Sequence, residues 1–358
     1  MIARALLSFP SVIYTMYKKV YKEGFNRILC VAEDDMGDVI MSTPAFRALK
    51  GVYNSHITLL TSSLGVPVTP FIKDVDEVIV HDLPWVKAPD RRWKGPDKLD
   101  SGLNRLVERI RKSHFNGGII FTSYSQNALP TALLLYMAGV PRRLGYCREN
   151  PRELLTDWIA DQEPFSPLHQ VTRNLGLVAH WTGETGGDDL QLSVRSAQRV
   201  RMLEKISALG ITPGAGWVVL HPGAGNARRK YPPGDWVRIS RQLTEKQGLQ
   251  VIVSGTGTDG ELAALIAAEG GENCYNAAGL LSVGEWIALI QEAFLLISVN
   301  TAAEHISAAV NTPVIVLYAV ATPQHTPWKV PSIILPFSDP LNVAEVAEEL
   351  LTIYTRKA

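Results

Sequence analysis

The sequence predicts an α/β protein made of two similar halves, each a parallel sheet with helices on both faces. Three observations carry that expectation. Short apolar runs alternate with helix-periodic runs from Ile28 to about Trp181. A segment rich in glycine and acid, Gly183–Asp189 (GETGGDD), then interrupts the pattern and reads as a linker. Behind it the same alternation restarts. The length, 358 residues, exceeds the usual single domain. Two such halves on a short linker imply a cleft between them, the default place for a ligand.

In the first half the expected strands are Ile28–Ala32, His56–Thr61, Glu77–His81 and Gly118–Thr122. The helices between them include Ala45–Lys50, Leu103–Ser113 and Asn127–Met137, with Thr43 as hydroxyl N-cap before Pro44. Residues 84–96 (PWVKAPDRRWKGP) form a loop long enough to suspect a binding role. In the second half the strands are Trp217–His221, Leu249–Ser254, Leu295–Val299 and Pro313–Tyr318. Its helices are Ser196–Leu209, Pro233–Gln247, Asp259–Glu269, Val283–Ala293 and Ala302–Val310, and Asn342–Tyr354 closes the chain with helical spacing. The division expected is a segment 1–25, a domain 26–185, a domain 186–337, and a C-terminal helix within 338–358 that packs back on the first domain.

Composition narrows the function. Lys+Arg and Asp+Glu both number 35, so no global field draws the chain to nucleic acid. Cys30, Cys147 and Cys274 follow no metal or redox spacing and read as reduced core residues of a cytoplasmic protein. Residues 1–25 are apolar up to Tyr17 and then basic, but Arg4 and Pro10 break the run, so it is too short to span a bilayer. Neither does it carry a signal-peptide cleavage pattern. It is either a helix packed on the first domain or an interfacial helix on an anionic inner leaflet.

Four turns carry the chemistry. After the first strand, Glu33, Asp34 and Asp35 lead to Gly37-Asp38, which places Asp38 at the carboxyl edge of a sheet, where open α/β folds keep their reactive groups. His221-Pro-Gly223-Ala224-Gly225 follows a strand and precedes Arg228-Arg229-Lys230; glycines there let backbone N–H groups turn to an anion that lysine neutralises. The turn Ser254–Asp259 offers Gly255 and Thr256, with Glu261 one helical turn on, where it could meet a ribose hydroxyl. The last, Ser298-Val299-Asn300-Thr301-Ala302-Ala303-Glu304-His305, brings small residues to a helix N-terminus suited to phosphate. Read blandly, these are glycine turns, caps by Thr258 or Asp259 and a packed histidine. Three such turns in one half instead suggest a cradle for phosphate and nucleoside.

HPGAG followed by K-Y-P-P-x-x-W, the S-G-T-G-T-D turn, N-A-A-G-L-L-S at Asn276–Ser282 and S-V-N-T-A-A-E-H together resemble the donor half of the bacterial heptosyltransferases, glycosyltransferase family 9. D-M-G-D-V-I-M-S-T-P-A is similar to that family's acceptor-half signature. The resemblance, over roughly 27–337, implies a GT-B fold, two Rossmann-like domains facing across a cleft. It further implies inverting transfer without metal, ADP-heptose as donor, and a hydroxyl acceptor in lipopolysaccharide inner-core assembly. Carried over, Asp38 matches the catalytic aspartate and Lys230 the phosphate-binding lysine. The donor set becomes His221, Gly223, Ala224, Gly225, Gly255, Thr256, Glu261, Asn300, Thr301, Ala302 and His305. The acceptor set becomes Gly37, Thr43, Gly145 (in the Arg143-Leu144-Gly145 turn) and His169. Two departures stand out. Asn300 replaces an acid and Ala302 a glycine; Asp34-Asp35 replace a serine pair, and the extra anion is expected to raise the proton affinity of Asp38.

In the expected mechanism Asp38 deprotonates the acceptor hydroxyl as it attacks the anomeric carbon, while Lys230 and main-chain donors stabilise the departing diphosphate. Three rival readings are a magnesium site at Glu33, Asp34, Asp35 and Asp38 for phosphoryl chemistry, a sugar-nucleotide epimerase of the same layout, and an inactive sugar-nucleotide-binding scaffold. No cofactor and no nucleic acid partner is expected; peripheral membrane contact would run through residues 1–25.

Overall fold

A computed structural model describes residues 25–86, 96–161, 168–225, 229–319, 322–337 and 343–355. The segment 1–24 and the centre of the loop 84–96 lie outside them. The described chain packs as two compact units. One takes in the residues up to Asp34, Ser42–Val66 and Asp74–Asp188; the other takes in Asp35–Met41, Pro67–Lys73 and the chain from Asp189 on.

Elements of the first stretch, in chain order, are β1 (Arg27–Ala32), α1 (Met36–Met41), α2 (Thr43–Tyr53), β2 (His56–Thr61), β3 (Glu77–Val80), α3 (Pro96–Lys112), β4 (Gly117–Phe121), α4 (Leu129–Met137), β5 (Arg142–Cys147), β6 (Asp157–Ala160) and α5 (Gln170–Thr182). The six strands form one parallel sheet in the order β3-β2-β1-β4-β5-β6. Being central and covered on both faces, β1 is an unbroken apolar run, buried from Ile28 to Ala32. Leu29 and Val31 share a core with Leu60, Ile79 and Ile120 from its neighbours. Ser42, rather than Thr43, holds the N-cap position of α2, and it makes no side-chain cap bond. Its hydroxyl instead accepts from Asn174 Nδ2 at 3.0 Å.

The second stretch runs α6 (Ser196–Ala208), β7 (Trp217–His221), α7 (Pro233–Arg241), β8 (Gln250–Val253), α8 (Gly260–Glu269), β9 (Cys274–Asn276), α9 (Val283–Gln291), β10 (Leu295–Val299), α10 (Ala302–Val310), β11 (Val314–Tyr318), β12 (Ser332–Pro336) and α11 (Val343–Thr355). Its sheet is again parallel, ordered β12-β11-β10-β7-β8-β9. Counting strands from the start of each half, both sheets read 3-2-1-4-5-6, the doubly wound Rossmann order. The closing helix belongs to the second unit, where Val343, Ala344, Ala347 and Leu350 of α11 join a core with Val251, Ile315 and Leu335. Helix α7 stops at Arg241 and a π-turn, Gln242–Lys246, completes the stretch expected to be one helix. Thr244 Oγ1 lies 2.9 Å from the Gly270 carbonyl and 3.0 Å from that of Ser240 there, so its hydroxyl works locally. No described helix is long and apolar enough to cross a membrane.

Candidate active site

In a doubly wound sheet the crevice opens where strand order reverses. In the second unit that is between β7 and β10, whose carboxyl ends are His221 and Val299. A cavity of about 620 Å³ lies here, lined by Gly223–Gly225 after β7, Ser254–Asp259 after β8, Ala277 and Gly279 after β9, Trp286 of α9, Thr301 and Ala302, and Met36. This volume suits a nucleotide-sized ligand.

Glycine is dictated by close approach. A Cβ on Gly223 would fall 2.7 Å from Asp259 Oδ2, and one on Gly255 2.8 Å from Asp259 Cβ. Asp259 thus wedges the two turns together while its Oδ2 accepts from the Thr256 amide at 2.7 Å, in a capping box on Gly257–Asp259. Gly279, at φ +74°, donates its amide to the Gly255 carbonyl at 3.0 Å and brings the third turn into the same wall.

His221 marks the end of β7. Its Nδ1 lies 3.0 Å from Ser254 Oγ, and its ring packs on Trp286 with centroids 4.8 Å apart. Burial pushes its pKa down to about 4 against a smaller upward pull from Asp259, so the imidazole is neutral at pH 7. Thr301 caps α10, its Oγ1 accepting from the Ala303 amide at 3.4 Å. The cavity therefore faces a capped helix start, whose dipole favours an anion.

The other members of the expected donor set do not line this cavity. Asn300 turns away, its Nδ2 donating to Thr322 Oγ1 at 2.9 Å, while its carbonyl accepts from Arg229 Nη1 at 3.1 Å. Lys230 is exposed just beyond Arg229, Glu261 is exposed in the first turn of α8, and His305 is buried on α10. Residues 226–228 lie outside the described chain.

Asp38, expected on the first domain, groups with the second unit as the third residue of α1. Gly37 before it donates its amide to Asp35 Oδ1 at 2.7 Å. A Cβ on Gly37 would lie 2.7 Å from His305 Cδ2, so this helix start and α10 meet directly. Asp34, Asp35 and Asp38, neighbours along this turn, offer carboxylate oxygens within 4.8 Å of one another. Glu33 does not join them. It accepts from Thr131 Oγ1, which in turn accepts from Trp85 Nε1 at 2.9 Å. Burial raises its pKa to about 7, with Asp34 adding to the rise and the Thr131 and Trp85 hydrogen bonds opposing it.

The acceptor-side candidates of the first unit have structural work in hand. Thr43 is buried in the first turn of α2. Gly145, inside β5, faces Ala128 and Leu155, where a Cβ would meet atoms at 3.4 and 3.5 Å. His169 caps α5, its Nδ1 accepting from the Val171 amide at 3.2 Å. Trp286 and Asp259 line the cavity but were not in the expected donor set; Asp259 was read only as a cap, and Trp286 follows directly after the capping box Ser282–Glu285.

Comparison with known proteins follows the same lines. The model of glycosyltransferase family 9 (heptosyltransferase) matches residues 104–349. Lipopolysaccharide heptosyltransferase 2 of Escherichia coli K12 is 26% identical over 317 residues, covering 84% of this chain and 85% of its own. Two solved structures share the fold. That of the E. coli ADP-heptose lipopolysaccharide heptosyltransferase II has a TM-score of 0.73 at 21% identity, over 93% of this chain and all of that one. An E. coli heptosyltransferase with ADP-2-deoxy-2-fluoro heptose has 0.68 at 18%, over 90% and 99%.

Proposed function

For this chain, which belongs to glycosyltransferase family 9 and is a glycosyltransferase, we propose that the transferred sugar is a heptose, the donor ADP-heptose, and the acceptor a hydroxyl of a lipopolysaccharide-type glycan. The observation that carries the reading is the glycine-walled cavity at the strand reversal of the second sheet. It is large enough for a nucleoside diphosphate and faces the start of α10. Its imidazole is neutral, so His221 hydrogen-bonds without adding charge.

The chemistry is a single displacement. Asp38 takes the proton of the acceptor hydroxyl while that oxygen bonds to the anomeric carbon. The bond from that carbon to the diphosphate oxygen breaks, and ADP leaves with the electron pair. Attack opposite the leaving group inverts the anomeric centre. Lys230 and the N–H groups of Gly223–Gly225 and of the first turn of α10 take up the charge growing on ADP, the part a divalent ion plays in other transferases. The acceptor is presented at the cytoplasmic face of the inner membrane.

The test incubates purified protein with ADP-heptose and an inner-core acceptor, with and without EDTA, and reads the anomeric configuration of the product by NMR. The expected result is inverted product at an EDTA-insensitive rate. A retained anomer, dependence on an added divalent ion, or equal use of UDP-sugars would refute the corresponding part.

A further inference from the structure

Glu304 is fully buried in the first turn of α10. A carboxyl in such a place costs stability unless it is matched or neutralised, and an apolar side chain of similar size would avoid the cost. Its two oxygens are treated differently. Oε2 accepts from the Tyr318 hydroxyl at 3.0 Å. Oε1, also buried, accepts no hydrogen bond and lies 3.7 Å from His305 Nε2. The same imidazole, 5% exposed, carries its Cδ2 edge against Gly37 so closely that no Cβ fits there. Contact is therefore continuous from Tyr318 through Glu304 and His305 to the peptide before Asp38.

Among the described residues, the charged and titratable groups around Glu304 include His305 on its own helix, Tyr318 on β11, Arg229, and Asp35 ahead of α1. His325 closes the cluster, its carbonyl 3.3 Å from the Tyr318 hydroxyl. Burial raises the Glu304 pKa well above the carboxylate range; Tyr318 and Arg229 oppose this, and Asp35 adds to it. Tyr318 donates to Oε2, and Oε1 is the oxygen that faces His305.

We infer that Glu304 is a positioning residue that fixes the Gly37–Asp38 turn through His305. Its link to catalysis rests on Asp38 being the base; the mechanical claim does not. The test compares wild-type protein with Glu304→Met and Glu304→Gln, by hydrogen exchange of the 36–41 amides and by kcat against donor KM. Glu304→Met is expected to speed exchange in 36–41 by roughly tenfold or more against unchanged exchange elsewhere. It should also lower kcat about a hundredfold at unchanged donor KM. Glu304→Gln keeps the hydrogen-bonding shape without the titratable proton. It is expected to preserve protection and to restore kcat toward the wild-type value, the rescue by a shape-preserving variant that a positioning role requires. Wild-type protection of 36–41 in Glu304→Met overturns the inference, and so does loosening spread over the whole unit. If Glu304→Met does not fold, His305→Ala is read in its place, and wild-type protection of 36–41 in that variant overturns the inference. Wild-type protein that transfers nothing refutes the transferase reading, while the exchange result still decides the positioning role.

Discussion

His221 ends a buried strand with its ring between Ser254 and Trp286, and that enclosure has a consequence for stability. Its pKa falls from 6.5 to about 4 in the folded protein. Between those values the unfolded chain binds the extra proton and the native one does not. Stability from this residue is thus fully present above pH 6.5 and is lost as pH drops toward 4. At about 1.4 kcal/mol per unit the effect is at most about 3 kcal/mol. Denaturant melts at pH 7 and pH 4.5 are expected to differ less in His221→Asn than in wild type; an equal difference would discount the histidine. At this scale the sequence was informative where the signal is local. Glycines at strand ends identify Gly223 and Gly255 because such turns demand a missing Cβ. What presses on Gly223, the Asp259 carboxylate, comes from the next turn, so the residues around Gly223 do not show it. Glu304 was invisible for the same reason, since a glutamate in a first helical turn ordinarily faces solvent and favours the dipole.

Helix α10 is the element on which the proposed donor site depends. Its cap is Thr301, with extended backbone and a side-chain bond to the Ala303 amide. Thr301→Ala is expected to cost about 1 kcal/mol of stability and to weaken ADP binding by calorimetry. Thr301→Ser should restore both; unaltered ADP affinity in Thr301→Ala would remove this helix start from the site. Periodicity located α10 and its strand to the residue because β10 is a fully buried apolar run. Missed strands have other textures. β5 reads RRLGYC, and Arg143 is tolerated inside it only because its guanidinium donates to the carbonyls of Val140, Glu153 and Leu154. β6, β9 and β12 are short, and their partly exposed residues blur the apolar signal.

For the whole molecule, alternation of strand and helix was enough to foresee two parallel sheets, and handed crossovers leave few orders for them. Their matching 3-2-1-4-5-6 order accounts for the cavity at the end of β7 and β10. Linear reading could not foresee that Asp35–Met41 would group with the second unit, or that α11 would return to it. Both depend on long-range packing. That grouping puts the proposed base, Asp38, in the same unit as the proposed donor cavity. The most direct measurement is therefore the Asp38→Asn variant, assayed in parallel for ADP binding and for heptose transfer. The expected result is ADP affinity at the wild-type level with transfer reduced by roughly 10²–10⁴-fold; transfer at the wild-type rate would contradict the account.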